Sequence, residues 1–245
     1  MASSNAPTVI PSKRIKAGWL EDHMGFKKLV SRGADPDVLL IGDSLVKGLA
    51  RYQSVWRKHF GDMSCLNLGI GGDRVQHVLW RLKHGELDCD PKIIVLHCGT
   101  NNIGKDSPKE IAEGLLNCVD QISEDCPHTR TIVTGLLPRD LEPSEYRKDI
   151  AEVNKLLMEN IEFSDEMKNV FFLETEKDWI LETGRLNESL YFTDCLHLVE
   201  AGDEKFAKAI RGKIDEVLKN IESTKVVGFI LRLKAIYLRY SCISS

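Results

Sequence analysis

The chain has 245 residues, a formal net charge of −4, and 42% hydrophobic and 29% charged residues. This size and balance are typical of one globular domain with short appendages and are sufficient for a sizeable core. A slightly acidic chain without a clustered basic face is not expected to bind nucleic acid.

The N-terminal segment and the cysteines indicate the cellular compartment. The segment "MASSNAPTVIPSKR" contains no apolar run, and no stretch of about 18 apolar residues occurs, so we expect neither a secretory signal nor a membrane span. The seven cysteines are scattered without C-x-x-C pairs. They predict reduced, buried thiols in a cytoplasmic protein rather than a disulfide framework or a zinc site.

Short apolar runs alternate with amphipathic segments along the chain. The runs predict buried strands within residues 37–44, 64–72, 92–102, 130–138 and 169–175. The amphipathic segments predict helices within residues 52–60, 73–82, 107–123, 144–161 and about 199–220. This alternation predicts an α/β protein with a doubly wound, flavodoxin-like sheet of five parallel strands in a three-layer α/β/α fold.

Two segments flank the predicted domain, which spans residues 37–222. Residues 1–36 are predicted to form an arm that packs on the domain, because they include Trp19, Leu20, Phe26 and Leu29. Residues 223–245 are basic and apolar with poor amphipathicity. They are interpreted as an accessory tail of unknown role, with binding to a membrane surface or a partner as the alternative.

Polar residues follow three of the predicted strands, at the edge of a parallel sheet where ligands bind. The first is Ser44 in "IGDSL". It is interpreted either as a nucleophile or as a helix N-cap, for which serine is well suited. The surrounding sequence is not a G-x-S-x-G elbow, because Val46 occupies the place of the second glycine.

The next two strand ends carry glycines and asparagines. A dinucleotide fingerprint in "GIGGDR" would need glycine at Arg74, so the loop is interpreted either as backbone N–H groups facing an anion or as a tight turn capped by Asp73. Asn101 in "GTNN" is either a turn residue or an amide donor to an oxyanion.

Asp194 and His197 lie three residues apart, just before the last predicted helix. This spacing allows Asp194 to hold one ring nitrogen of His197 and leave the other for a serine hydroxyl. The alternatives are a polar turn and a metal site, but further ligands at helical spacing are lacking, so no metal is predicted. His97 ends an apolar strand and is interpreted as a buried imidazole with its hydrogen bonds satisfied.

The four blocks "IGDSL", "GIGGD", "GTNN" and "DCLHL" resemble those of the SGNH (GDSL-type) hydrolases. Residues 15–220 are similar to the catalytic (alpha) subunits of intracellular type I platelet-activating-factor acetylhydrolase. The resemblance implies Ser44 as nucleophile, Asp194 and His197 as acid and base, and an oxyanion hole formed by Ser44, Gly72 and Asn101. It implies no metal and no organic cofactor.

The resemblance also implies a function. The chain is expected to be a serine ester hydrolase that removes acetyl groups from platelet-activating-factor-like phospholipids through an acyl-serine intermediate. The alternatives are an esterase on other acetylated substrates, such as carbohydrates, and a subunit whose main task is binding a partner. Leu45 and Leu196, next to the catalytic residues, are predicted to line a short acyl pocket, although either side chain could point into the core.

Implied partners follow from the same resemblance. They are a second copy of the chain or a related catalytic subunit in a dimer, and a WD-repeat lissencephaly-type regulatory subunit. The expected location is the cytoplasm.

Overall fold

The computed structural model describes residues 6–31, 36–164, 167–175 and 178–241, with side chains as far as residue 220. The α-helices in these ranges are α1 Trp19–Val30, α2 Ser44–Gly48, α3 Gln53–Phe60, α4 Val75–Arg81, α5 Pro108–Asp125, α6 Glu145–Glu162 and α7 Glu200–Ser241. The strands are β1 Val38–Gly42, β2 Cys65–Gly69, β3 Ile93–His97, β4 Arg130–Thr134 and β5 Val170–Leu173. Short 3-10 helices span Pro7–Val9 and Glu188–Leu190, and an irregular turn spans Leu82–Glu86.

The five strands form one sheet in the order β2-β1-β3-β4-β5, and every neighbouring pair is parallel. This confirms the predicted doubly wound sheet. The chain leaves β1 in one direction to reach β2 and returns past β1 to reach β3. The crevice beyond the carboxyl ends of β1 and β3 is therefore the topological switch point, where ligands of such sheets bind.

The strands divide their side chains between two cores, as a sheet covered on both faces requires. In β1, Leu39 and Ile41 pack in a cluster with residues of α4, α5 and α6. Val38 and Leu40 point to the opposite face and pack with residues of α2, α3 and α7. The result is the predicted three-layer arrangement, with all four of these side chains at most 1% exposed.

Helix α1 lies against the domain through one face only. Trp19 is 1% exposed, and its Nε1 donates a hydrogen bond to Asp73 Oδ1 at 2.6 Å. Phe26 packs against the core cluster that contains α4. Leu20 and Leu29, which had suggested the same packing, are 38% and 42% exposed. The apolar content of the arm thus identified the segment but not which residues face the domain.

Arg81, at the end of α4, is a fully buried charge. Its Nη1 donates to Asp73 Oδ2 at 2.7 Å and to Gly42 O at 3.2 Å. Its Nη2 donates to Glu86 Oε2 at 2.7 Å and also to Leu68 O, and its Nε donates to Glu86 Oε1 at 2.9 Å. Burial opposes the charge, but the two carboxylates outweigh it and keep the pKa of Arg81 above its ordinary value.

The last helix, α7, spans Glu200–Ser241, so the predicted boundary at residue 222 falls inside a helix. The side chains of the predicted tail, 223–245, and the whole of residues 242–245 lie outside the described part of the chain. Among the described residues, no helix combines the length and apolar character needed to cross a membrane.

The buried Arg81 network leads to a stability prediction. Arg81→Ala is expected to lower the free energy of unfolding by about 3–5 kcal/mol, because it leaves the carboxylates of Asp73 and Glu86 buried without their cation. Urea denaturation measures the change. The control is Arg57→Ala on the exposed face of α3, with an expected change within about 0.5 kcal/mol. Equal effects of the two substitutions would contradict the role given to Arg81.

Candidate active site

Ser44 is the first residue of α2 and lies directly beyond β1. The N-cap of this helix is Asp43, whose Oδ1 accepts a hydrogen bond from Leu45 N at 2.9 Å. The interpretation of Ser44 as the cap is therefore wrong, and its hydroxyl is available for chemistry. The end of β1 requires Gly42, because a Cβ at this position would lie 1.9 Å from His97 O on the neighbouring strand.

Ser44, His197 and Asp194 form a continuous hydrogen-bonded chain. His197 Nε2 lies 3.0 Å from Ser44 Oγ, and His197 Nδ1 lies 2.6 Å from Asp194 Oδ2. An ionised Asp194 can only accept, so the network assigns the ring proton to Nδ1 and leaves Nε2 to accept the serine proton. This is the arrangement in which an imidazole acts as a general base.

The carboxylate of Asp194 also orders the turn that carries the histidine. Its Oδ1 accepts from Leu196 N at 3.1 Å and from His197 N at 2.9 Å. Partial burial raises the pKa of Asp194, but the hydrogen bonds from the His197 ring and the two backbone N–H groups outweigh it and lower the pKa below its ordinary value. Asp194 is therefore ionised at neutral and mildly acidic pH and can stabilise an imidazolium.

The predicted oxyanion donors lie on loops at the same edge of the sheet. A Cβ at Gly71 would lie 3.9 Å from Ser44 Cβ, which brings the loop after β2 beside Ser44. Gly72 follows with φ of 82°, a left-handed conformation that favours glycine. Asn101 Nδ2 donates to Asp73 O at 2.9 Å in that loop, which engages one of its two N–H bonds. The oxyanion roles of Gly72 and Asn101 stay predictions.

The second asparagine of the "GTNN" block has a structural role. Asn102 is fully buried, and its Oδ1 accepts from Val75 N at 3.0 Å at the start of α4. Asp73, interpreted from the sequence as a possible cap of this turn, instead directs its carboxylate to Trp19 and Arg81. The start of α4 is thus held by a residue that follows β3.

Other buried titratable groups surround the triad without joining it. Burial raises the pKa of Asp43 to about 7, although the hydrogen bond from Leu45 N opposes this shift. Burial also raises the pKa of Asp203 in α7 to about 7, although the charges of Arg51 and His197 oppose it. Burial lowers the pKa of His97 to about 4, so this imidazole is neutral at physiological pH.

His97 is only partly satisfied. Its Nδ1 lies 2.5 Å from Thr134 Oγ1, while its Nε2 has no hydrogen-bond partner among the described residues. The sequence interpretation of a fully satisfied imidazole therefore needs this correction.

A cleft of about 580 Å³ opens beside Ser44 and His197. Phe26 of α1 lines one side of this cleft, and Arg51, which follows α2, lines another. The Arg51 guanidinium donates to Leu198 O at 2.9 Å and lies 5.3 Å from the centre of the Phe192 ring. The sequence did not reveal Phe26 or Arg51 as site residues, because neither belongs to a motif and both reach the site only through the fold.

The two leucines predicted to form the acyl pocket differ in environment. Leu45 is 2% exposed and packs in the core cluster that contains α3 and α7, and Leu196 is half-buried. Neither is among the residues that line the cleft beside Ser44. The short acyl pocket stays a prediction.

Cys65, Cys98, Cys118, Cys126 and Cys195 are thiols outside any disulfide, and Cys242 lies outside the described residues. Burial raises the pKa of Cys65 to about 12 and that of Cys126 to about 11, so neither is a thiolate at neutral pH. In the described ranges no group of three or more histidine, cysteine or acidic side chains is arranged to hold a metal ion.

The parallel sheet and the Ser44–His197–Asp194 chain at its switch point define a serine ester hydrolase of the α/β class. Residues 40–205 match the GDSL-like lipase/acylhydrolase family. The chain belongs to this family, as the resemblance in the four sequence blocks had indicated.

Individual relatives give the same result. The chain is 37% identical to the human platelet-activating factor acetylhydrolase IB subunit alpha2 over 84% of its own length and 88% of the relative's. It is 32% identical to the human alpha1 subunit, covering 88% and 90% of the two chains. A carbohydrate esterase family 3 structure from Talaromyces cellulolyticus shares the fold, with a TM-score of 0.59 and 17% identity over 75% of this chain and 98% of that one.

Proposed function

We propose that the protein hydrolyses acetyl esters of platelet-activating-factor-like phospholipids. The observation that carries the proposal is the hydrogen-bonded chain from Ser44 Oγ through His197 to Asp194. The substrate class is supported by the relatives, which are platelet-activating factor acetylhydrolase subunits similar over most of the chain.

The geometry supports a two-step acyl transfer. Ser44 Oγ attacks the ester carbonyl and its proton moves to His197 Nε2, while Asp194 stabilises the imidazolium. The backbone N–H groups of Ser44 and Gly72 and the side-chain amide of Asn101 would hold the oxyanion. His197 then returns the proton to the departing alcohol, and water activated by the same imidazole hydrolyses the acyl-serine.

Two alternatives are weaker. An esterase on acetylated carbohydrates is supported only by a shared fold, and a fold does not determine the substrate. A subunit that only binds partners would not need a complete triad. Comparing hydrolysis of platelet-activating factor with hydrolysis of acetylated xylo-oligosaccharides tests the first alternative. Faster turnover of the sugars would favour a carbohydrate esterase over the phospholipid esterase proposed here.

The partners and location remain proposals. Relatives described as subunits support a homodimer or a heterodimer with a related catalytic subunit, and the resemblance adds a WD-repeat lissencephaly-type regulatory subunit in the cytoplasm. Analytical ultracentrifugation of the purified chain measures the first point, and a monomer at all concentrations would exclude the homodimer.

Ser44→Ala is expected to lower kcat for p-nitrophenyl acetate by about 10⁴-fold or more, because the nucleophile is lost. Labelling by a fluorophosphonate probe should disappear, while thermal stability should stay unchanged. Ser54→Ala, which removes an exposed hydroxyl on α3, is the matched control and should retain both activity and labelling. Undiminished labelling of the Ser44 variant would exclude it as the nucleophile.

Asn101→Ala is expected to lower kcat by about 10²–10³-fold with little change in KM, as for the loss of one oxyanion donor. Steady-state kinetics on p-nitrophenyl acetate measure both constants. Asn117→Ala on α5, where the amide binds Glu113 O, is the control and should keep the kcat of the unmodified protein. A change in KM alone would assign Asn101 to substrate binding.

The acyl pocket is expected to accept short chains. In a short pocket each added methylene costs about 10–200-fold in discrimination, so kcat/KM should fall from acetyl to butyryl to hexanoyl p-nitrophenyl esters. Leu196→Ala, and Leu45→Ala if it folds, should flatten this series. Equal turnover of hexanoyl and acetyl esters by the unmodified protein would contradict the prediction of a short acyl pocket.

A further inference from the structure

Four cationic side chains surround the loop after β2 and the turn after β3. They come from the N-terminal arm, from the start of α4 and from the segments beyond β3 and β4. We name this set the cationic cluster: Arg14, Arg74, Lys105 and Arg139. The mechanism above assigns no role to any of them.

Arg14 extends from the arm to the loop after β2. Its Nη1 donates to Gly71 O at 2.7 Å, and its Nη2 would lie 2.6 Å from a Cβ at Gly72. Gly71 is the residue that approaches Ser44 Cβ. The guanidinium, with 22% of the side chain exposed, therefore stands directly behind the predicted oxyanion glycine.

Lys105 and Arg139 contact the turn that carries Asn101, and Arg74 directly precedes α4. Lys105 Nζ donates to Asn101 O at 3.2 Å, and Arg139 Nη1 donates to Thr100 O at 3.4 Å. Desolvation lowers the pKa of Lys105, and repulsion by the charges of Arg74, Arg139 and Arg14 lowers it further. The charge of Asp106 opposes this shift but does not cancel it. Lys105 is thus close enough to the three arginines to be repelled by their charges.

The acids on the protein do not neutralise these charges fully. Among the described residues, neither Arg74 nor Lys105 forms an ion pair within 4.0 Å. The acid nearest to Arg14 is Asp73 at 3.6 Å, and it is already bound to Arg81 at 2.7 Å. Arg139 lies 3.7 Å from Asp140. A chain of net charge −4 thus keeps unpaired positive charge beside the loops that carry Gly72 and Asn101.

We propose that the cationic cluster binds an anionic group, phosphate or carboxylate, carried by the alcohol part of the ester substrate. This inference rests on the proposed function, because an acetyl group has no charge and the anion must then belong to the alcohol. Arginine and lysine bind such oxygens through charge-assisted hydrogen bonds, and arginine can do so with two parallel N–H groups. The cluster would then determine substrate specificity without taking part in the bond-breaking step.

The test compares matched esters with and without the anion. The lipid pair is 1-hexadecyl-2-acetylglycerol and its 3-phosphate, and the soluble pair is phenyl acetate and 4-acetoxyphenyl phosphate. The readout is the preference, defined as the ratio of kcat/KM for the anionic ester to that for the neutral ester. The unmodified protein is expected to prefer the anionic ester by about tenfold or more.

Arg74→Gln with Lys105→Gln should lower the preference about tenfold, since each lost charge-assisted hydrogen bond weakens binding of the anion. Arg74→Lys with Lys105→Arg keeps both charges and should retain most of it. Lys109→Gln with Lys155→Gln removes two exposed charges from α5 and α6 and is the matched control with an unchanged preference. If the double glutamine variant loses the preference in both ester pairs, a small anion is sufficient for recognition. If it loses the preference in the lipid pair alone, the cluster recognises the lipid headgroup. Both outcomes support the proposal.

Two outcomes would overturn it: no preference in the unmodified protein, or a preference that survives the double glutamine variant. Turnover of p-nitrophenyl acetate that depends on Ser44 separates this failure from failure of the proposed function. If that turnover is present and the preference absent, only the cationic cluster loses its role. If the unmodified protein hydrolyses none of the esters, both proposals fail together.

Discussion

The buried guanidinium of Arg81 is the constraint on which the active-site edge of the sheet depends. A cation removed from water needs hydrogen-bond acceptors for its N–H groups and anions for its charge. Here the two anions lie five and eight residues away along the chain, and the backbone acceptors lie 13 and 39 residues away. Gly42 O and Leu68 O come from the ends of β1 and β2, and Asp73 comes from the loop that faces the nucleophile. Because the guanidinium is planar and rigid, satisfying it fixes the positions of these segments relative to one another. The position of Ser44, two residues after Gly42, follows from the same restraint.

The network also attaches the N-terminal arm to the active site. Trp19 binds the second carboxylate oxygen of Asp73, and His23 Nδ1 lies 2.7 Å from Glu86 Oε1. Both acids are the partners of Arg81, so α1 completes the coordination of the buried charge instead of only covering apolar surface. Phe26 of the same helix then lines the cleft beside Ser44. The arm therefore helps to form the cleft beside Ser44, although Ser44, Asp194 and His197 all lie outside it.

The sequence predicted those parts of the molecule that depend on local pattern. Strands with continuous apolar runs and the block containing Asp194 and His197 carry their own signals, and the sheet confirms the strands. Arg81 carried no such signal, because two of its acceptors are backbone carbonyls, which every sequence possesses, and these lie 13 and 39 residues away along the chain. A charged residue on the apolar face of α4, between Leu79 and Leu82, was the only indication of its burial. Leu20 and Leu29 show the converse, since composition placed them against the domain and the orientation of α1 exposes them.

The pKa values of three carboxyl groups near Ser44 are shifted in different directions because their environments differ. Asp194 is half-exposed and accepts hydrogen bonds from two backbone N–H groups and the imidazole, which lowers its pKa. Asp43 and Asp203 are buried with one carboxylate oxygen each lacking a partner among the described residues, and burial raises both pKa values to about 7. The two buried acids therefore take up a proton at a higher pH than Asp194, which is ionised near neutral pH. Position decides the roles of Asp194 and Asp43: Asp194 Oδ2 lies 2.6 Å from His197 Nδ1 and, as a carboxylate, favours the Nδ1–H tautomer, whereas Asp43 Oδ1 accepts from Leu45 N and caps α2.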